Sequence, residues 1–150
     1  MSDTIPAGVL LGIDFGSVRI GVAACDSERI LAYPVDTVAA GDNEILALKS
    51  LVSQYGPSAV IVGLPLNLDG EEALAAQKVR ERAQGLTLAI DVPVWLVDER
   101  LTTAQAAKKL REAGRNTKRA RRVIDASAAV GILESVMRAQ EQGQAIGSKA

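Results

Sequence analysis

The chain has 150 residues, a formal net charge of −1 and 48% hydrophobic residues with few aromatics, which indicates one domain with an aliphatic core. It has no histidine and a single cysteine, Cys25, so an intramolecular disulfide, a cysteine or histidine zinc site and the histidine-dependent nucleophilic triads are excluded. Residues 1–8 lack a secretory signal and no apolar run approaches the roughly 20 residues of a membrane span, so we expect a cytoplasmic protein with no membrane partner.

Apolar periodicity and turn residues divide the chain into strands and helices. The two apolar runs on either side of Gly16-Ser17 predict a β-hairpin, and Asp42 is the predicted N-cap of a helix that Gly56-Pro57 ends. In chain order, the sequence predicts strands over 9–15, 19–25 and 30–38, a helix over 42–55, a strand over 59–62, a helix over 71–86, a strand over 93–97, and helices over 102–113 and 119–142.

This order of elements predicts an α/β domain. Three consecutive strands with short turns form an antiparallel meander, and the β-α-β-α units that follow add two parallel strands. The expected fold is therefore a five-stranded mixed sheet with helices on both faces. We expect a single domain over 1–150, with flexible tails at 1–7 and 143–150.

Acidic residues gather at one edge of the predicted sheet. Asp14 lies late in the first strand, and Asp98 and Glu99 directly follow the last predicted strand. Because these two strands are expected to run parallel, their carboxyl ends meet at the same edge, where the active groups of such sheets tend to lie. A carboxylate buried there is costly unless a metal, a cation or a hydrogen-bond donor accompanies it.

Asp125 lies on the apolar stripe of the final predicted helix. At about 100° per residue, Ala129, Ile132 and Val136 fall on the same side of the helix as Asp125. One interpretation is structural, either an ion pair with an arginine or a favourable position near the helix N-terminus. The other is that Asp125 shares a site with the acids at the sheet edge.

Three carboxylates at one edge, from Asp14, Glu99 and Asp125, would repel one another unless cations lie between them. Without histidine or a cysteine cluster, a bound metal would be held by oxygen ligands, which favours Mg²⁺ or Mn²⁺. Two such ions activate water and stabilise a leaving oxygen in phosphodiester hydrolysis. The three acids therefore indicate metal-dependent phosphodiester chemistry.

Basic residues crowd into the segment 108–122, where Glu112 is the only acid. They are Lys108, Lys109, Arg111, Arg115, Lys118, Arg119, Arg121 and Arg122. This asymmetry predicts a polyanion-binding face, and a solvated helix face with a mobile loop is the alternative. Because no aromatic residues lie among them, we expect contacts to a phosphate backbone rather than stacking on bases.

Four motifs together resemble the YqgF family, also called RuvX or Holliday-junction-resolvase-like. They are GIDFGSVRIGVA at 12–23, VGLPLNLDG at 62–70, DERLTT at 98–103 and DASAAVGIL at 125–133, in order over almost the whole chain. The resemblance implies a ribonuclease-H-like fold related to the RuvC resolvases, and a nuclease that uses Mg²⁺ or Mn²⁺ to cut nucleic acid. The implied role is maturation of the 5′ end of pre-16S ribosomal RNA, with cleavage of Holliday junctions or other branched DNA as the alternative.

The resemblance carries the family's acidic positions over to Asp14, Glu99 and Asp125 as catalytic and metal-binding residues. RuvC-type resolvases use four acids, and Asp98 is the nearest candidate for the fourth. Two arginines within the motifs, Arg19 and Arg100, either hold phosphates or neutralise the acids. The residues expected to clamp the nucleic-acid backbone beside the metals are Lys108, Arg115, Lys118, Arg119 and Arg122.

Two other functions remain open. An ATPase of the actin/Hsp70/sugar-kinase superfamily also begins with a strand, an acid and glycines, but it needs two such domains and this chain has the length of one. A non-catalytic accessory factor of the ribosome or the transcription machinery would use the basic segment without cutting. The oligomeric state is open between a monomer and a homodimer, and a two-fold dimer would match the symmetry of a junction.

Overall fold

A computed structural model describes residues 5–65, 74–98, 118–143 and 147–150, and for 118–125 it describes the helical backbone only. The elements are β1 (Leu10–Phe15), β2 (Arg19–Cys25), β3 (Ala32–Ala39), α1 (Glu44–Tyr55), β4 (Ala59–Leu64), α2 (Leu74–Ala89), β5 (Val94–Asp98), α3 (Lys118–Glu141) and β6 (Ser148–Lys149). The helix predicted over 102–113 and the start of the one predicted over 71–86 lie outside the described residues.

The described strands form one mixed sheet in the order β3-β2-β1-β4-β5-β6. The first three strands pair antiparallel, as the meander predicts, and β4 and β5 run parallel to β1. The carboxyl ends of β1, β4 and β5 therefore lie at one edge of the sheet. The mixed α/β fold is confirmed, but the predicted count of five strands is wrong because β6 adds a sixth.

Two apolar layers cover the two faces of this sheet. Alternate residues of β1, such as Leu11 and Ile13, pack in one cluster with residues of α1 and α2. Leu10, also in β1, faces the other way and packs in the cluster that α3 covers. This alternation follows from the two-residue period of a strand, and it divides the side chains of β1, β2, β4 and β5 between the two faces.

The helical wheel of the last helix is confirmed where side chains are described. Ala129, Ile132 and Val136 are fully buried against the sheet, whereas Glu134 and Arg138 are exposed. Sheet-facing residues of α3 thus recur at the spacing that the sequence predicts.

The two outer strands of the described sheet are both irregular. On one side β3 contains Pro34, which has no amide N–H to donate, and the β2–β3 register shifts between Val22 and Ala23. On the other side β6 pairs antiparallel with β5, and the Ala150 N–H donates to the Val94 carbonyl at 2.8 Å. Two residues are too few to show a sequence period, and β6 lies within 143–150, where the sequence predicted a flexible tail.

The first described residues are packed against the domain. Ile5 is 9% exposed and belongs to the cluster beneath α3. Arg29 donates to the carbonyls of Pro6 and Gly8, and also to the Gln140 side chain at 2.6 Å. Within the segment 1–7, expected to be a flexible tail, Ile5 therefore packs in the cluster that α3 covers, and Pro6 is linked to the end of α3 through Arg29.

Helix α1 begins differently from the prediction. The N-cap is Asn43 rather than Asp42, and it makes no side-chain capping hydrogen bond. Instead, the Glu44 carboxylate accepts from the Gly41 N–H at 3.0 Å. The helix ends as predicted, since Gly56 adopts the left-handed conformation at φ 56° and donates to the Val52 carbonyl. No helix in the described part of the chain is long and apolar enough to cross a membrane.

Candidate active site

Asp14 is a buried carboxylate near the carboxyl end of β1. It is 2% exposed, and the alternation along β1 assigns it to the face that α3 covers. On β2 it is paired with Gly21. On β4 the last register pair is Ile13 with Val62, so Asp14 directly follows the last paired residue on that side. On the β2 side, the paired glycine leaves no side chain beside this carboxylate within its row of the sheet.

Helix α3 crosses β1 in the opposite direction to the strand. The Arg29 guanidinium joins the Gly8 carbonyl to the Gln140 side chain, so the end of α3 lies over the beginning of β1. Further along the strand, Gly12 lies directly beneath the helix, since a Cβ there would come 2.9 Å from the Ala129 carbonyl oxygen. The beginning of α3 therefore lies towards the carboxyl end of β1, where Asp14 is.

The position of residue 125 relative to Asp14 follows from the rise per residue of a helix and the rise per residue of a strand. The strand rises about 13 Å from Gly8 to Gly12. The helix also rises about 13 Å, from Gln140, which Arg29 links to Gly8, to the midpoint of Ala129 and Leu133, which lie over Gly12. The two further residues from Gly12 to Asp14 correspond to about four residues of helix. The helix backbone at Asp14's level is thus within about one turn of residue 125.

The turn after Asp14 is tight. The Gly16 N–H donates to the Asp14 carbonyl at 3.1 Å, and a Cβ on Gly16 would overlap the Arg19 carbonyl oxygen. Glycine is therefore required here by space. Arg19 itself begins β2 and is partly buried, and alternation assigns it to the same face of the sheet as Asp14. The position suits contact with a phosphate near Asp14.

Asp98 lies on the opposite face of the sheet from Asp14. In β5, Val94 and Leu96 pack with α1 and α2, whereas Trp95 and Val97 pack in the α3 cluster. The alternation therefore assigns Asp98, the last residue of β5, to the α1 and α2 face. The sequence predicts that this strand ends at residue 97, whereas β5 continues to Asp98. Because Asp98 belongs to the strand, the alternation of side chains decides which face of the sheet it lies on.

The remaining predicted site residues fall where the structure describes no side chain. Glu99, Arg100, Lys108 and Arg115 lie outside the described residues. In the first part of α3 only the helical backbone is described, and this part contains Lys118, Arg119, Arg122 and Asp125. Among the described residues no group of three or more acidic, cysteine or histidine side chains is arranged to hold a metal ion.

An ion pair behind the turn is absent from the sequence predictions. Arg82 of α2 forms a two-pronged pair with Glu44 of α1 and donates to the Gly16 carbonyl. Its partners are 38 and 66 residues away in sequence, and no local pattern links them. Sequence periodicity predicts only that Arg82 and Glu44 lie on helices. The ion pair between them depends on how α1 and α2 pack, which periodicity does not predict.

The chain is similar to proteins of one known family. The family model described as "RuvX: Holliday junction resolvase" matches residues 8–139. A relative from Cutibacterium acnes, named "Putative pre-16S rRNA nuclease", is 52% identical over 143 residues, covering 95% of this chain and 89% of the relative. A relative of the same name from Streptomyces coelicolor is 47% identical over 136 residues, covering 89% and 81%.

Solved structures show the same fold at low sequence identity. The structure described as Thermus thermophilus RuvC in complex with Holliday junction substrate matches with a TM-score of 0.63 and 17% identity, covering 95% of this chain and 99% of that one. The expected fold related to RuvC and ribonuclease H is therefore confirmed. Since the family model spans most of the chain and relatives are close to half identical, this chain belongs to the RuvX family.

Proposed function

We propose that this protein is a divalent-metal-dependent nuclease that hydrolyses phosphodiester bonds in the cytoplasm, in the 5′-end maturation of pre-16S rRNA. The observation that carries the proposal is the buried carboxylate of Asp14, at the sheet edge where three parallel strands end and at the level of the helix that contains Asp125. The names of the relatives support the substrate class.

The surroundings of Asp14 fit a hard divalent cation. The carboxylate offers oxygen ligands, and Gly21 on the neighbouring strand β2 leaves room beside it for further ligands and water. We propose that Asp14, Glu99 and Asp125 would hold Mg²⁺ or Mn²⁺. When bound, such an ion makes water more acidic and stabilises a leaving oxygen.

We propose three acidic ligands rather than four. Asp98 is the weaker candidate because the alternation along β5 assigns it to the opposite face from Asp14. The odd-numbered residues of β5 share the face of Asp14, and Glu99 directly follows that strand in sequence. The role of these acids is to fix the position of the cation against the scissile phosphate.

Cationic side chains supply the contacts to nucleic acid in this proposal. We propose that Arg19, which the alternation along β2 assigns to the same face as Asp14, contacts a phosphate next to the scissile one. Arg100 and the basic residues of the segment 108–122 would bind the flanking backbone, and the members that we propose are Lys108, Arg115, Lys118, Arg119 and Arg122. Such binding positions the substrate without reading its sequence.

A second candidate substrate is a four-way DNA junction. It is favoured by the description of the family model and by the RuvC fold, whose solved complex contains a Holliday junction. A resolvase must make two symmetric cuts, so this candidate also requires a two-fold homodimer. Maturation of an RNA end requires no such symmetry, so the proposed function is compatible with a monomer or a homodimer.

One cleavage assay separates these candidates. RNA with a pre-16S 5′ leader and a synthetic four-way junction are each incubated with Mg²⁺, Mn²⁺ or EDTA, using wild type, Asp14→Asn and the control Asp91→Asn. Asp91 is exposed and lies in the loop before β5, so its variant removes one acid away from the site. We expect metal-dependent cleavage of the RNA that Asp14→Asn abolishes and Asp91→Asn retains. Binding without cleavage of either substrate would instead establish a non-catalytic accessory factor.

A further inference from the structure

All three guanidinium nitrogens of Arg82 donate hydrogen bonds close to the candidate active site. Its Nε donates to Glu44 Oε2 at 2.8 Å and one terminal nitrogen donates to Glu44 Oε1 at 3.0 Å. Its other terminal nitrogen donates to the Gly16 carbonyl at 2.9 Å. The guanidinium also lies over the Phe15 ring, 4.6 Å from its centroid. Arg82 therefore contacts the two residues that immediately follow Asp14.

Beyond Ile13, β1 leaves its ladder with β4. The last register pair on that side is Ile13 with Val62, whereas on the β2 side the pairing continues to Phe15 with Ile20. Residues 15 and 16 thus extend beyond the β4 ladder. The hydrogen bond from Arg82 to the Gly16 carbonyl supplies an anchor that β4 does not.

Glu44 holds the guanidinium in place. It is 9% exposed and accepts from Arg82 through both oxygens, and also from the Gly41 N–H. Burial alone would raise the pKa of Glu44, but the hydrogen bonds from Arg82 and Gly41 outweigh it and lower that pKa. The carboxylate is therefore ionised at neutral pH, and a bidentate carboxylate leaves the arginine little freedom.

Asp14 and Phe15 face opposite sides of the sheet. Phe15 packs in the α1 and α2 cluster with Arg82 over its ring, while Asp14 faces α3. Arg82 therefore reaches the site from behind, through the backbone rather than through the carboxylate. Its effect on Asp14 is a matter of position, because the backbone of residues 15 and 16 sets where the end of β1 lies.

We infer that Arg82, held by Glu44, is a positioning residue that fixes the turn after Asp14 and so orients the Asp14 carboxylate towards the divalent cation. This inference rests on the metal-dependent nuclease proposed above. Lysine cannot reproduce the arrangement, since one ammonium group cannot bind both Glu44 oxygens and the Gly16 carbonyl in a planar fork.

The test combines metal affinity with local backbone protection in the full-length chain. Mn²⁺ binding is followed by the electron paramagnetic resonance signal of the free ion. Amide hydrogen exchange is followed by NMR at residues 15–18 and, as a reference for the whole fold, at the buried residue Leu48. The variants are Arg82→Gln, Arg82→Lys and Asp14→Asn. The matched control Lys78→Gln removes an exposed charge one turn earlier on α2.

For both Arg82 variants we expect Mn²⁺ affinity to fall about tenfold, the lower end of the effect of residues that orient metal ligands. Exchange at residues 15–18 should accelerate more than at Leu48. Lys78→Gln should match wild type in both measurements. A residue that only stabilised the fold would accelerate exchange everywhere and leave the Mn²⁺ affinity of the folded protein unchanged.

The outcomes separate this inference from the proposed function. Wild-type exchange at residues 15–18 in Arg82→Gln would overturn the positioning role regardless of metal binding. Accelerated exchange with unchanged Mn²⁺ affinity, when Asp14→Asn weakens binding, would overturn it as well. Equal Mn²⁺ binding by wild type and Asp14→Asn would instead refute the metal site on which the proposed function depends, and the positioning role towards a cation with it.

Discussion

The contact between β1 and α3 at Gly12 gives the sharpest test of how this fold sets the site. A Cβ added at Gly12 would come 2.7 Å from Leu133 Cγ and 2.9 Å from the Ala129 carbonyl oxygen. The second of these atoms belongs to the helix backbone, so a rotamer change cannot relieve the overlap. Gly12→Ala must therefore push α3 away from the sheet near the level of Asp14.

The expected cost of Gly12→Ala is about 1–3 kcal/mol of unfolding free energy, the usual range for overpacking a filled core. In a domain of this length, that corresponds to a fall in melting temperature of about 3–10 °C. Thermal and urea unfolding followed by circular dichroism measure both quantities. Because α3 contains Asp125, the variant should also bind Mn²⁺ less tightly than wild type at a temperature where both are folded.

The matched control is Gly85→Ala, in the interior of α2. There the nearest atom to a new Cβ is Ile45 Cδ1 at 3.9 Å, an ordinary contact. Since alanine is the better helix former, Gly85→Ala should stabilise the protein by about 0.5–1 kcal/mol. If Gly12→Ala gave the same gain, the close packing of α3 on β1 and the position that it gives to residue 125 would both be refuted.

Two further predictions concern charge. The pKa of Glu44 is lowered in the folded state, so its contribution to stability is present above its unfolded value of about 4.5 and is lost as the pH falls through the folded value. The difference in urea midpoint between wild type and Glu44→Gln should therefore be largest near neutral pH and shrink below about pH 4.5, and a constant difference would refute the ion pair. If Arg119 and Arg122 bind phosphates, changing both to Ala should weaken RNA binding and reduce the salt slope of log K by about 1.5, which a salt titration of fluorescence anisotropy measures. An unchanged slope would remove both residues from the proposed interface.

The sequence alone predicts much of this fold because the signals involved are local. The boundaries of β2 are those predicted, and the ends of β1 and α3 differ by at most one residue, since each is a continuous run with one period and clear flanking residues. Ala129 and Ile132 are buried as the helical wheel requires. The six-residue strand β4 was predicted two residues short, because Gly63 and Pro65 look like a turn in isolation.

The parts that sequence reasoning did not find depend on how elements pack. The Arg82–Glu44 pair joins two helices that are adjacent only in the folded domain. Strand β6 pairs with β5 at the side away from β4, and no feature of residues 148–149 indicates this pairing. The face of the sheet to which Asp98 belongs depends on one residue at the end of β5. Strand ends are poorly marked in sequence, yet each shift of one residue reverses the face.

The two outer strands of the described sheet bear on how copies of this protein can associate. Edge strands invite pairing between molecules unless they are shortened, interrupted or charged. Here one edge is interrupted by Pro34 and carries the exposed acid Asp36, and the other is reduced to the two residues of β6. Neither favours a continuous sheet across two copies. We therefore expect that a symmetric dimer, if a junction recruits one, would be joined through helices and loops, with each Asp14 edge left open to its own strand of the substrate.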